Sequence, residues 1–313
     1  MPELKNPWLV AAWPGMGLVG HLAASYLARH LGAEPMAEIP PGDHFDAAGV
    51  EVKQGLLLPI QSPRTLFAGW HNPGAGPDLV ILLGERQPAI GTRRFCTEVV
   101  GVARELGVTR VLTFAAMATP CVPSAPARVF SAATDAALLN ELRGIDVELL
   151  KDGEIGGLNG VFLAAAAERG VPGACLLGEF PFFASAVPNP KAAVAILEAF
   201  GRLSGLKIDL AEIHAQAVEV ERQLEEYLKR LESEARAQAQ ENAPDQPAEE
   251  AEAWQQAPRG DEISPEDSER IEGLFRRAQR DRNQAFRLKT ELDRLDAFKR
   301  YEDRFLDLFR RAE

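Results

Sequence analysis

Cysteine is scarce in this 313-residue chain: Cys96, Cys121 and Cys175 are the only three, and no two stand in a Cys-x-x-Cys pair. An odd set without such spacing excludes a disulfide framework and a cysteine zinc site, and it points to reduced thiols. Histidine is also sparse, and His21, His30, His44, His71 and His214 share no metal-ligand spacing. Asp43, His44 and Asp46 form a small His–carboxylate cluster, and beside Pro40, Pro41 and Gly42 they read as a polar turn. No apolar run reaches the roughly 18 residues of a membrane span. The start, MPELKNPW, has neither the basic region nor the apolar stretch of a secretory signal, so the expected location is the cytoplasm. A Gly-x-Ser-x-Gly elbow is missing, and Cys96 falls on the apolar side of a helical pattern, which leaves nucleophilic catalysis without support. A basic excess is missing too: 34 Lys and Arg stand against 46 Asp and Glu, and the net charge of -12 repels phosphate backbones and anionic lipid. Neither nucleic acid nor a membrane is expected as a partner, and no metal is expected.

What is present is an ordinary globular balance, 46% hydrophobic and 26% charged, enough for a core of one large or two smaller domains. Composition changes near residue 209. Residues 1–210 hold 24 of the 26 glycines, while residues 211–313 carry 44 of the 80 charged side chains. The first part therefore reads as turn-rich and the second as helical. The expected organisation is an α/β body over 1–208, a first C-terminal helix over 209–237, a flexible linker over 238–263 that is rich in Ala, Gln, Glu and Pro, and a second helix or helices over 264–313.

Within the body, short apolar runs alternate with helical patterns, the signature of layered α/β packing. Trp8–Trp13, Leu79–Leu83, Val111–Met117 and Ala174–Leu177 read as strands. Helices are expected over about Leu18–Leu31, Thr92–Leu106, with Thr92 as N-cap, and Leu158–Glu168, and another starts at Asn189-Pro190. Val50–Ile60 has room for one or two strands. Beyond the body, Asp209 and Glu212 stand in capping-box spacing. Leu210, Ile213, Ala217, Val220, Leu224, Tyr227 and Leu231 then alternate by three and four, a coiled-coil-like association seam. From Ser264 a second stripe follows: Ile271, Leu274, Ala278, Ala285, Leu288, Leu292, Leu295, Phe298, Phe305 and Phe309. Two such helices joined by a linker suggest an antiparallel hairpin, with its seam buried against the partner helix, the body or another subunit.

Three motifs could carry chemistry. Gly15-Met16-Gly17-Leu18-Val19-Gly20 is a G-x-G-x-x-G between a strand and a helix, the context of a dinucleotide site, with Glu34 or Glu38 near the spacing of a ribose ligand. The competing reading is a glycine turn that packs a helix tightly on a sheet. ILLGERQP and CLLGEFPF place Glu85 and Glu179 each just beyond a strand's carboxyl end, where α/β sheets bind ligands. Two carboxylates there could serve as general acid and base for a nucleoside or glycosyl bond, or each could simply cap a turn or meet an arginine. Gly156, Gly157 and Asn159 open a helix and form a second possible anion loop, or a tight turn into a buried alanine-rich helix.

Taken together, WPGMGLVG, LLGERQP, GGLNGVFLAAAAERGVPGACLLGE and PNPKAAVAILEAF resemble the proteasome assembly chaperone 2 family in its bacterial and archaeal branch, over roughly residues 5–235. The resemblance implies a three-layer α/β/α sandwich of the phosphorylase type with a helical C-terminal addition. It implies a homo-oligomer with an ATP-independent binding or assembly-chaperone role toward an unidentified protein client, with no cofactor. Archaeal members dock on the proteasome ring through a C-terminal hydrophobic-Tyr-any tail, from which the ending Arg311-Ala312-Glu313 departs. An enzyme acting through Glu85 and Glu179 is the second reading, and a dinucleotide-dependent oxidoreductase using Gly15, Gly17 and Gly20 the third.

Overall fold

A computed structural model describes residues 4–45, 49–59, 61–241, 265–280, 288–289, 291–292, 295 and 297–308. Asp46, Ile60, Ser264, Ala285, Phe309, most of the expected linker from 242 on, and Arg311-Ala312-Glu313 lie outside the described residues. The chain divides into two compact units, 1–233 and 234–313.

The first unit is built on an eight-stranded sheet. Its strands are β1 (Trp8–Ala12), β2 (Glu34–Ile39), β5 (Thr65–Trp70), β6 (Leu79–Gly84), β7 (Arg110–Thr119), β8 (Val129–Ala133), β9 (Glu148–Leu149) and β10 (Gly173–Pro181), in the order β2-β5-β6-β1-β7-β10-β8-β9. The central four, β6-β1-β7-β10, are parallel. Strands β5 and β8 run against them, and β2 runs against β5. Strands β3 (Val50–Lys53) and β4 (Leu56–Pro59) form a separate hairpin in the connection between β2 and β5. The central strands are apolar on both faces because both faces are covered. On one side, Val10, Leu112, Phe114 and Leu176 meet helices α1 (Val19–Leu31), α3 (Ala136–Arg143) and α5 (Pro190–Ser204). On the other, Leu9, Val80, Leu82 and Cys175 meet α2 (Thr92–Glu105) and α4 (Gly157–Ala167). This is the expected three-layer α/β arrangement.

Local chemistry explains most boundaries. Asn189 caps α5 by accepting from the Ala192 amide, with Pro190 as the first helical residue. The expected Thr92 cap is corrected: Gly91, at φ +64°, is the cap, and Thr92 is already helical. Left-handed backbone is cheap for glycine and costly for threonine. The expected capping box is half present. Asp209 accepts from the Ala211 amide, but Glu212 reaches Arg29 at 2.7 Å instead of turning back. Sequence reading placed no element on β2, β5, β8, α3 or β9; β8 and β9 are only five and two residues long.

Helix α6 (Ala211–Glu241) is one uninterrupted helix that passes the expected boundary at 237. In the second unit, α7 (Pro265–Arg280) and α8 (Phe298–Asp307) share an apolar contact in which the Phe275 and Tyr301 rings lie 5.9 Å apart and Arg304 sits over Phe275. Ile271, Phe275, Leu288, Leu292 and Phe305 are fully buried.

Candidate functional site

The carboxyl edge of the parallel strands gathers the motifs picked out in sequence. The glycine loop after β1 makes a single tight turn over Met16–Leu18. Three successive amides of the loop are occupied: Gly17 donates to the Ser185 carbonyl at 2.8 Å, Leu18 to Gly15 at 3.0 Å, and Val19 to Met16. The Gly17 carbonyl accepts from the Asn189 amide at 2.8 Å. A pyrophosphate needs such a row of amides facing outward, so the dinucleotide reading of Gly15, Gly17 and Gly20 is corrected. Gly17 supplies the left-handed turn at φ +55°, and Gly20 serves packing. A Cβ on Gly20 would lie 2.0 Å from the Phe114 carbonyl oxygen, so only glycine lets α1 rest on β7. Between them Leu18 holds φ +49° while 37% exposed, an unusual conformation for a side chain of that size.

The second correction concerns the paired carboxylates. Strands β6 and β10 are separated by β1 and β7, and three inter-strand spacings amount to roughly 14 Å. That exceeds the separation at which two carboxyl groups can flank one glycosidic bond. Glu85 is exposed and extends the β5–β6 ladder by one pair: its Oε2 accepts from the Arg64 amide at 2.9 Å, and its own amide donates to the Arg64 carbonyl. Glu179 is 2% exposed. It accepts from Arg128 Nη2 at 2.5 Å, from Arg128 Nε at 2.8 Å and from Thr119 Oγ1 at 2.6 Å. Burial alone would push its pKa up, but the bonds from Arg128 and Thr119 outweigh it and hold the carboxyl below its usual range. A group held in that state is a poor proton donor at neutral pH. Arg128 also reaches Glu148 at 3.1 Å and lies over the Phe130 ring.

The space beside Glu179 is filled. A cleft of about 20 Å³, room for one water at most, remains between Cys121, Pro123, Glu179 and Lys191 and the α6 residues Ala217, Val220 and Leu224. Lys191 clamps it by pairing with Glu221 at 2.7 Å and donating to the Pro123 carbonyl at 2.6 Å. The seam residues thus lie on the body of their own chain. Ile213 and Leu224 are buried in the core, Leu210 and Val220 pack against it, and Leu231 is half-buried. Tyr26 fixes the start of the helix by donating to the Asp209 carbonyl at 2.7 Å.

The second glycine loop lies near the first. Gln87 donates to the Pro14 carbonyl at 2.9 Å, and its Oε1 is 3.8 Å from where a Gly157 Cβ would sit. Gly156 caps α4, and the Asn159 Oδ1 atom is buried without a partner. A hollow of about 320 Å³ opens between Pro40, Gly42, Asp43 and His44 and the start of α2 at Ile90, Gly91, Arg94 and Glu98. Sequence reading had grouped His44 with Asp43 and Asp46; the structure pairs its Nε2 with Glu98 at 3.0 Å. Among the described residues no cluster of three or more His, Cys, Asp or Glu could hold a metal, and no helix is long and apolar enough to cross a membrane.

Sequence motifs did not reveal where exposed apolar side chains collect. Of the twelve large ones exposed among the described residues, ten lie in connections that leave this one edge. Met16 and Leu18 follow β1, Ile90 follows β6, Val122 follows β7 and Val187 follows β10. Val50, Val52, Leu56, Leu57 and Leu58 belong to the hairpin, which leaves the same edge after β2. Single exposed apolar residues are ordinary, whereas a collection on one face is the general pattern of interaction surfaces.

Comparison with known proteins gives a consistent result. The pattern of the PAC2 family matches residues 9–228. Pyrococcus furiosus PbaB, an archaeal proteasome activator, is 28% identical, with 74% of this chain and 96% of that one covered at a TM-score of 0.60. A Mycobacterium tuberculosis proteasome-assembly chaperone homologue is 27% identical, with 70% and 94% covered and a TM-score of 0.61. A Methanocaldococcus jannaschii protein described as uncharacterised is 28% identical over 250 residues, 77% of this chain and 90% of its own.

Proposed function

The chain belongs to the PAC2 family, and from that premise we propose that it is a non-catalytic, ATP-independent protein-binding or assembly-chaperone-like protein that works as a homo-oligomer. The observation that carries this reading is the carboxyl edge itself. The cleft beside Glu179 is closed by α6, whereas the loops around it present Met16, Leu18, Ile90, Val122 and Val187 to solvent. An edge whose cleft beside Glu179 is filled and whose loops form an apolar rim suits a protein surface better than a small substrate held there. Because the PbaB relative is a proteasome activator and the mycobacterial one a proteasome-assembly chaperone homologue, proteasome subunits are the first clients to test.

The test uses purified proteasome subunits of the same host in sedimentation velocity, with and without ATP. A complex should form equally in both. Leu18→Gly then separates binding from folding, since glycine adopts the left-handed conformation that costs leucine roughly 1–2 kcal/mol. The variant should keep its Tm and lose client binding. Binding that needs ATP, or a Leu18→Gly protein that binds as the wild type does, would overturn the assignment. So would nucleoside cleavage that is lost in Glu85→Gln with Glu179→Gln.

A further inference from the structure

The hairpin β3–β4 carries more than exposed side chains. Its turn is Gln54-Gly55, both at positive φ (+51° and +81°), the two-residue turn that closes on a hydrogen-bonded pair, here Lys53 and Leu56. Pairs alternate from that point. Glu51 and Leu58 therefore bond across the hairpin, while Val52 and Val50 on β3, and Leu57 and Pro59 on β4, direct their backbone groups outward. The outer edge of β4 is blunted, because Pro59 has no N–H to offer. The outer edge of β3 is open, with the N–H and C=O of Val50 and Val52 unpaired by any other strand among the described residues. Two strands alone make a marginal unit in water, and every residue of these two is exposed.

We propose that β3 pairs antiparallel with β3 of a second copy, centred on Val52, to give a four-stranded sheet β4-β3-β3-β4. Self-association belongs to the function proposed above, and this inference rests on that reading and supplies the surface. Register decides the occupant. Centred on Val52, Glu51 of each copy lies opposite Lys53 of the other, and Val52 meets Val52. A shift of one residue would set Val50 against Lys53, putting a charge on the apolar face. A shift of two residues in the sum would set Glu51 against Glu51, a like-charge pair directly opposite. On an acidic chain of net charge -12, this hairpin carries one acid and one base, already 3.0 Å apart within a copy, so two copies meet here without net repulsion. The edge joins the copies, and the doubled face of Val50, Val52 and Leu57 stays available to a client. Two strands of four residues a side fall short of the roughly 20–30 residues of a standard interface, which places the association in the micromolar class.

Charge reversal with mixing tests this on the full chain. Glu51→Lys leaves two basic side chains and no acid on β3, and Lys53→Glu leaves two acidic side chains and no base. Each alone should weaken self-association roughly tenfold, since two opposite-charge pairs become two like-charge pairs. A 1:1 mixture of the two should recover wild-type association, because only between chains do opposite charges meet. Val52→Pro, which removes an outward N–H and none inside the hairpin, should also dissociate the copies. Sedimentation over roughly 1–200 μM reads all of these. Overturning results are a monomeric wild type across that range, a mixture no tighter than its components, or a Val52→Pro protein that associates as before. An edge that captures only an added extended peptide counts the same way. Client binding is read separately: an oligomer that persists in Val52→Pro overturns this surface alone, whereas a monomeric wild type also removes self-association from the function proposed above and leaves its client binding to its own test.

Discussion

Arg128→Met provides a stringent test of the account of the carboxyl edge. Methionine keeps aliphatic contact with Phe130 and removes the guanidinium. Glu179 then retains two bonds, from Thr119 Oγ1 at 2.6 Å and from the backbone amide of residue 128 at 3.3 Å, and loses the two shorter contacts to Arg128. Breaking a buried pair costs about 3–5 kcal/mol. The Arg128 side chain is 52% exposed, so part of its attraction is screened by water, and about 2–4 kcal/mol is the reasoned loss. For a unit of this size that is a fall in Tm of about 5–15 °C.

The pH dependence of that loss separates this explanation from simple loss of packing. In the wild type the Glu179 carboxyl sits below its ordinary value of 4.5 because its hydrogen bonds outweigh burial. Its contribution is therefore complete above the unfolded value and disappears as pH falls through the lower folded value. In Arg128→Met burial gains the upper hand and the folded pKa rises, so the penalty is present at neutral pH and fades as the carboxyl protonates. Both effects narrow the gap on acidification. Thermal melts of the two proteins at about pH 7.5 and near pH 4.5, followed by tryptophan fluorescence, measure it. An equal gap at both pH values, or a gap at neutral pH worth less than about 1 kcal/mol, refutes the reasoning.

Three further outcomes follow from geometry. Gly20→Ala should severely destabilise or prevent folding, since its Cβ would lie 2.0 Å from the Phe114 carbonyl oxygen, and a soluble yield and Tm equal to wild type would contradict the packing role. Leu224→Asp puts a charge where a side chain is 7% exposed, and should peel α6 from the body at a cost above the roughly 1.5–3 kcal/mol of a buried leucine, read as lost helicity and new proteolytic cutting after residue 205. Glu85→Gln should change stability by less than about 1 kcal/mol in thermal melts and leave client binding intact, because a carboxamide oxygen still accepts from the Arg64 amide.

What could be read in sequence followed from chemistry local to a few residues. Asn189-Pro190 encodes a cap in two side chains, and the apolar runs of β1, β6, β7 and β10 encode strands covered on both faces. The family blocks carried the fold further than periodicity alone. The body's outer strands were harder to see, because an edge strand such as β2 has one partner and keeps mostly polar or exposed side chains. The glycine motif misled for a different reason: spacing records where glycine stands, while the groups that occupy its backbone come from Ser185 and Asn189, far along the chain. The same holds for Glu179, whose partner Arg128 is set beside it by the antiparallel pairing of β8 with β10.

The carboxyl edge also shows how one site can change character without changing fold. A ligand site there needs free amides, a titratable group and a hollow. Here Ser185 takes the Gly17 amide, Arg128 fixes the charge of Glu179, and α6 fills the cleft beside it. Each of these satisfies a polar group that would otherwise demand a ligand. Once they are satisfied internally, what remains facing solvent is the apolar part of the loops, Met16, Leu18 and Val187 among them. The filled cleft and the exposed apolar rim therefore follow from the same contacts.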